Sequence, residues 1–365
     1  MEYDPPYRIL NNPTEGEIVA GLPSGSNPLA VAVLRFSAAG DIILASAFVR
    51  ALRQRFPEAR IVFFTRREFV GLVEHSPWIS AVAPVERRWS AGELRAFARA
   101  QREEVGGRFD LVYDLHNSLR SRALRRVLGG RLRVVGKPSL RKRWMVLSKQ
   151  RPSPSLLPVP ELYLAAGARD GLRDDGAGLE LFTGTARPPV VRLGTRPSVA
   201  LCPGAQHFTK RWPPERFASL AVALWQRHNV RVVVLGGPDD RGAAAMIDEA
   251  VGGVGGEVVN LAGRTSFPET ALAIDACDVV VAGDSVLGHI AAARGRPVVS
   301  IFGSTVPEFG FAPWRVQSTI VEVHSLPCRP CTTKGRERCP LGHFRCMLDI
   351  DVENVLGTVE RSIRL

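Results

Sequence analysis

Short runs rich in Val, Leu and Ile alternate along this chain with longer stretches whose apolar residues recur at helical spacing. The short runs read as strands buried on both faces, the longer stretches as amphipathic helices. In the first half the pattern predicts strands at Leu29–Phe36, Arg60–Phe64, Ala81–Pro84, Phe109–Asp114 and Leu132–Val135. Between them it predicts helices at Ile42–Phe56, Phe69–Val73, Ser90–Glu104 and Ser118–Leu128. Ser90 and Glu93 have the spacing of a capping box. The pattern then breaks twice, at the Pro-rich Arg151–Pro160 and at Gly167–Pro197, rich in Gly, Pro, Arg and Asp.

The same rhythm restarts after the second break. Strands are expected at Ser198–Cys202, Val230–Leu235, Glu257–Asn260, Asp278–Ala282, Val298–Phe302 and Thr319–Val323. Helices are expected from Pro213-Pro214 to His228, and at Asp239–Ala250, Phe267–Ala276, Ser285–Ala293 and Asp351–Ile363. The expected architecture is α/β, with two doubly wound Rossmann-like domains facing across a cleft. The expected limits are 29–187 and 188–350, with a loose extension at 1–28 and a closing helix at 351–365. Ligands of such sheets bind where helices open at the carboxyl ends of strands. Asp278–Gly303 is the clearest such place, because Gly283, Asp284 and Ser285 open a helix whose N-terminus favours an anion.

Composition adds an electrostatic address. The 365-residue chain is 45% hydrophobic and carries a formal net charge of +12. The segment Leu115–Arg151 holds nine Arg and three Lys with no Asp or Glu, so it accounts for the whole excess. Such a run attracts phosphate-bearing partners: nucleic acid, an anionic membrane surface or an anionic glycolipid. Interleaved aromatics on a sheet, and any known nucleic-acid motif, are missing, so nucleic acid is the weakest of the three. No apolar run reaches the roughly 18 residues of a membrane span, and the N-terminus has no basic-then-apolar leader pattern. A cytoplasmic location is expected. No G-x-G-x-x-G follows the first strand, which disfavours a dinucleotide-dependent dehydrogenase.

Four places carry candidate chemistry. Asp41 ends the small-residue turn Ser37–Asp41 and is either a helix-capping acid or a carboxylate base. Lys210 and Arg211 precede a helix and are either surface cations or partners of a phosphate leaving group, while Gly204 allows close backbone approach. Asp284, Ser285 and His289 are either a helix cap with a buried His or an anion site. Cys328, Cys331, Cys339 and Cys346, with His343 among them, have ligand types suited to zinc; free thiols or a disulfide fit the spacing equally well.

Taken together, LRFSAAGDIILASAFVRALRQRFPEARIVFFT, YDLHNSLRSRALRRVLGG, PGAQHFTKRWPPERFASLA, NLAGRTSFPETALAIDACDVVVAGDSVLGHIAAARGRPVVSIFGST and CRPCTTKGRERCPLGHFRCM resemble the family 9 glycosyltransferases, the lipopolysaccharide heptosyltransferases. The resemblance covers most of Leu29–Val359. It implies the GT-B architecture and transfer of heptose, with inversion, from ADP-L-glycero-D-manno-heptose to the lipopolysaccharide inner core, with no obligatory metal. It implies that Asp41 takes the acceptor proton and that Lys210, Asp284, Ser285, Leu287 and His289 hold the donor diphosphate. Pro238 and Asp239 fall where ribose contacts are expected, and Arg87, Arg88 and Arg120 where an anionic lipid A-Kdo acceptor docks. The implied workplace is the inner face of the cytoplasmic membrane. One departure stands out: the family signature Asp-Thr-Gly reads Asp284-Ser285-Val286 here, which leaves another nucleotide sugar or acceptor as the alternative.

Overall fold

A computed structural model describes residues 28–151, 156–189 and 196–363. The expected extension at 1–28 lies, but for its last residue, outside them. The first half forms a five-stranded parallel sheet in the order β3-β2-β1-β4-β5. Its strands are β1 (Ala30–Leu34), β2 (Arg60–Arg66), β3 (Ala81–Val85), β4 (Leu111–Asp114) and β5 (Arg131–Val134). The second half forms a six-stranded parallel sheet in the order β11-β10-β9-β6-β7-β8. These are β6 (Ser198–Cys202), β7 (Arg231–Val234), β8 (Val258–Asn260), β9 (Val279–Gly283), β10 (Val298–Phe302) and β11 (Ser318–Glu322). Residues of β1, β6, β9 and β10 are buried throughout, as their unbroken apolar runs require. In each sheet the strand order reverses beside its first strand, between β1 and β4 and between β6 and β9. Those two reversals are the crevices where such sheets take ligands.

The helices of the first half are α1 (Ala39–Leu44), α2 (Ser46–Arg55), α3 (Ala91–Glu104), α4 (Leu119–Leu128), α5 (Ser139–Ser148) and α6 (Val159–Ala166). The single helix expected at Ile42–Phe56 is thus two helices meeting at Ala45, and it begins three residues earlier. Asp41 makes that early start workable by accepting the Ala38 N–H, which would otherwise be an orphan donor. The capping box before α3 is formed as read, with Ser90 and Glu93 each satisfying the other's backbone N–H. Helices α5 and α6 lie where the sequence reading assigned no element, α5 before the break at Arg151–Pro160 and α6 from its end onward. Pro158 and Pro160 flank the first residue of α6, where a missing N–H costs nothing.

The second half contributes α7 (Pro214–His228), α8 (Arg241–Gly252), α9 (Phe267–Asp275), α10 (Val286–Ala293), α11 (Arg345–Leu348) and α12 (Val352–Ile363). Helix α12 is no appendage: Val355, Leu356 and Val359 are fully buried in the second core with Val299, Ile301 and Val321. The segment before the boundary near Arg187 packs on the first half, through Arg50 to Asp175 at 2.6 Å and Tyr113 to Asp170 at 2.9 Å. Helix α5 departs from the expected division. Met145, with Leu156, packs against Val306 and Phe309 of the second half. Lys149 and Arg151 extend that crossing, donating to the Pro330 carbonyl at 3.1 Å and to Glu322 at 2.7 Å.

Candidate active site

The two crevices open into one cleft of about 1210 Å³, whose walls come from both halves. Asp41, Arg66 and Arg87 line one side; Gly204, Lys210, Pro238, Asp239, Asp284, Ser285, Leu287 and His289 line the other. The halves touch at the base of the cleft, where α1 meets α10. A Cβ on Gly40 would lie 2.8 Å from Cδ2 of His289, so only glycine permits this approach.

On the first wall, Asp41 is held by groups that sequence reasoning missed. Arg35 Nη2 sits 2.5 Å from Asp41 Oδ2, while its Nη1 donates to the Leu115 carbonyl at 2.8 Å. The Tyr163 hydroxyl, from α6, donates to Asp41 Oδ1 at 3.3 Å. Burial alone would push the Asp41 carboxyl up, but the Arg35 guanidinium and the Ala38 amide outweigh it and hold it below the usual carboxylate range. Asp41 is therefore ionised, with Oδ2 fully engaged and Oδ1 only loosely so. Arg35 is buried, and it follows a strand of apolar residues; nothing in sequence spacing marks an arginine as internal.

On the second wall, Lys210 Nζ lies 2.7 Å from Asp284 Oδ2, which also accepts from the Thr305 hydroxyl at 2.8 Å. Arg211, the other cation of that turn, is used internally and donates to the Ala205 carbonyl at 2.7 Å. Ser285 occupies the cap position of α10, yet its side chain makes no capping bond and its buried Oγ has no partner. Burial lowers the His289 pKa despite Asp284 and Asp41 nearby, so the ring is neutral, and its Nδ1 lacks a partner. A neutral His offers a hydrogen bond and not the full charge that a cationic reading would need. Val286 begins α10, half-buried in the cleft wall. Gly204 is required for a reason other than the one expected: its Cβ would sit 2.1 Å from Asp240 Oδ2. Asp240, missed in the sequence, accepts the Gly237 N–H at 2.8 Å beneath the exposed Pro238 and Asp239.

The three acceptor candidates are divided. Arg87 reaches the cleft and is exposed. Arg88 is exposed but is not among the lining residues. Arg120 is turned inward, donating to the carbonyls of Glu86, at 2.7 Å, and Arg87, so it braces the loop after β3. Lys142, on α5, lies over the rings of Phe311 at 4.6 Å and Phe309 at 5.6 Å, and burial pushes its pKa down to about 8.

The cysteine cluster stands outside the lining of the cleft. Cys328, Cys331, Cys339 and Cys346 line one cavity of about 370 Å³ with His343. All four are free thiols, and the Cys328 Sγ to His343 Nε2 separation is 3.9 Å. Among the described residues no three Cys, His, Asp or Glu side chains converge enough to hold a metal ion. The loop spreads the thiols around the cavity wall, and burial pushes the Cys346 thiol up to about 12. Among the described residues no helix is long and apolar enough to cross a membrane.

This arrangement has counterparts among known proteins. Lipopolysaccharide heptosyltransferase 2 of Salmonella typhimurium is 27% identical over 306 residues, covering 74% of this chain and 81% of that protein. The family 9 glycosyltransferase of Veillonella parvula superposes with a TM-score of 0.74 at 20% identity, over 93% of this chain and 98% of the other. The ADP-heptose lipopolysaccharide heptosyltransferase II of Escherichia coli gives 0.68 at 23% identity, over 92% and 99%. Both solved structures share the GT-B fold of two facing parallel-sheet domains. Residues 98–341 match the model of the family described as glycosyltransferase family 9 (heptosyltransferase), which is more than half of the sequence. The chain belongs to glycosyltransferase family 9.

Proposed function

We propose that this protein transfers heptose from ADP-L-glycero-D-manno-heptose to the inner core of lipopolysaccharide, with inversion, at the inner face of the cytoplasmic membrane. The observation that carries the reading is the pairing across one cleft of an ionised carboxylate from the first half with a cation and a helix N-terminus from the second. The names of the relatives supply the donor and acceptor classes.

In this reading the donor diphosphate lies at the N-terminus of α10. Lys210, the unpartnered Ser285 hydroxyl and the free N–H groups of that helix face the charge that grows as ADP leaves. Asp284 holds the Lys210 ammonium in place, and His289 donates a hydrogen bond as a neutral ring. Leu287 forms the apolar floor beside them, with Pro238 and Asp239 at the ribose end. Lys210 and the helix terminus supply the positive potential in place of a metal ion. The acceptor hydroxyl attacks the anomeric carbon from the opposite face as the bond to the phosphate oxygen breaks. Its proton passes to Asp41 Oδ1, the oxygen left loosely bonded, and ADP departs with the electron pair. A single displacement inverts the anomeric centre. Arg87 and Arg88 meet the acceptor's anionic groups, and Arg120 supports them through the loop it braces.

The test is calorimetric titration with a panel of nucleotide sugars. ADP-heptose should bind most tightly, and Lys210→Ala should weaken it by about tenfold, as expected for losing a charge-assisted contact. Tighter binding of another nucleotide sugar would instead favour the alternative that Val286 raises, a family relative with a different donor.

A further inference from the structure

Helix α5 has an outward face that the transfer chemistry leaves unused. Leu140, Trp144 and Leu147 stand one helical turn apart, so they form one stripe. They are 80%, 48% and 82% exposed. Scattered exposed apolar side chains need no explanation, but an aligned set on one helix does. Arg143, also exposed, sits on the same side of the helix. The opposite face is anchored by fully buried Met145 and by Lys142 over two phenylalanine rings, so the stripe is presented on a fixed element. The apolar surface continues past the helix: Leu341, 63% exposed, borders the same cavity as Val146 and Leu147.

Charge identifies what such a stripe meets. Helix α5 lies within Leu115–Arg151, whose twelve basic and zero acidic residues carry the chain's entire net charge. We infer that the outward face of α5 docks on a bilayer bearing anionic headgroups. Leu140, Trp144 and Leu147 enter the boundary between headgroups and acyl chains, and the exposed Arg143 beside them pairs with lipid phosphates. Tryptophan is suited to that boundary, with an apolar body and one N–H for the wet side. Aliphatic leucines give nucleotide bases nothing to stack on. Through Lys142 and Phe311 the same helix reaches the cleft wall, so docking sets the cleft mouth beside the lipid surface. This inference rests on the proposed location at the membrane and assigns the face that meets it; it stands whichever nucleotide sugar is used.

Sedimentation of the full chain with lipid vesicles tests it. Binding is expected to phosphatidylcholine vesicles containing phosphatidylglycerol, weakening as salt rises, with little binding to phosphatidylcholine alone. The double variant Leu140→Asp/Leu147→Asp should bind the anionic vesicles at least about tenfold more weakly while keeping wild-type affinity for ADP, which separates this result from any failure of the donor site. Bromine-labelled lipids should quench a tryptophan component that Trp144→Ala lacks, a readout that survives if the double variant fails to fold. Equal vesicle binding by wild type and the variants, absence of binding to anionic vesicles, or self-association through this face without vesicle binding would each overturn the inference.

Discussion

Asp41 has two unlike oxygens. Oδ2 is committed to Arg35 and to the Ala38 amide, and Oδ1 has only the long bond from Tyr163. A carboxylate held below its usual range is a weak base, which in the proposed reaction suits a leaving group that departs ahead of proton transfer. Arg35 sets that state, so Arg35→Met should release it. Burial then pushes the Asp41 carboxyl upward, and because transfer needs the ionised form, activity is lost as pH falls through a higher value than in wild type. The acidic limb of kcat/KM against pH should therefore move to higher pH, with lower turnover; a limb that stays put would remove Arg35 from this role. Asp41 and Lys210 were visible in the sequence because they stand at strand-to-helix turns, and His289 because it lies one helical turn after Ser285. Arg35 and Tyr163 were not, since one follows an apolar strand and the other stands just past the Pro-rich break, in a stretch given no element. The neutral state of His289 was equally hidden, because it follows from burial against Gly40 of the other half.

Two helices decide how the halves meet, and their contact has little slack. Gly40 on α1 faces the His289 ring on α10, and a methyl group there would overlap it. Gly40→Ala should cost about 1–3 kcal/mol by overpacking. It should also reduce transfer, because Asp41 is the next residue on the displaced helix. Equilibrium denaturation alongside a transfer assay checks both; unchanged stability and rate would show that the contact is looser than described. Strands were the most legible elements, since runs such as Val279–Gly283 and Val298–Phe302 have no other reading in an alternating chain. Helix α5 was illegible for the opposite reason. Its exposed stripe of Leu140, Trp144 and Leu147 interferes with the buried pattern, and its one fully buried residue is Met145. The break between α1 and α2 at Ala45 left no mark either, because the residues on both sides are good helix formers.

At the scale of the whole molecule, two parallel sheets turn their topological reversals toward each other, and the turns after β1, β6 and β9 meet in one space. That plan was readable from the repeated strand–helix rhythm. The interdomain crossing by α5 was not, because packing between distant segments leaves no periodicity in either. The division of labour makes the central claim testable with one residue. In the proposed reading Asp41 belongs to the half that does not hold the diphosphate, so its removal should separate chemistry from donor binding. The most direct measurement sets heptosyl transfer beside ADP affinity in Asp41→Asn, which keeps the shape of the side chain and removes its charge. The account predicts transfer reduced by about 10²–10⁴-fold with ADP affinity within about twofold of wild type. Transfer at near wild-type rate, or loss of ADP binding equal to the loss of transfer, would contradict it.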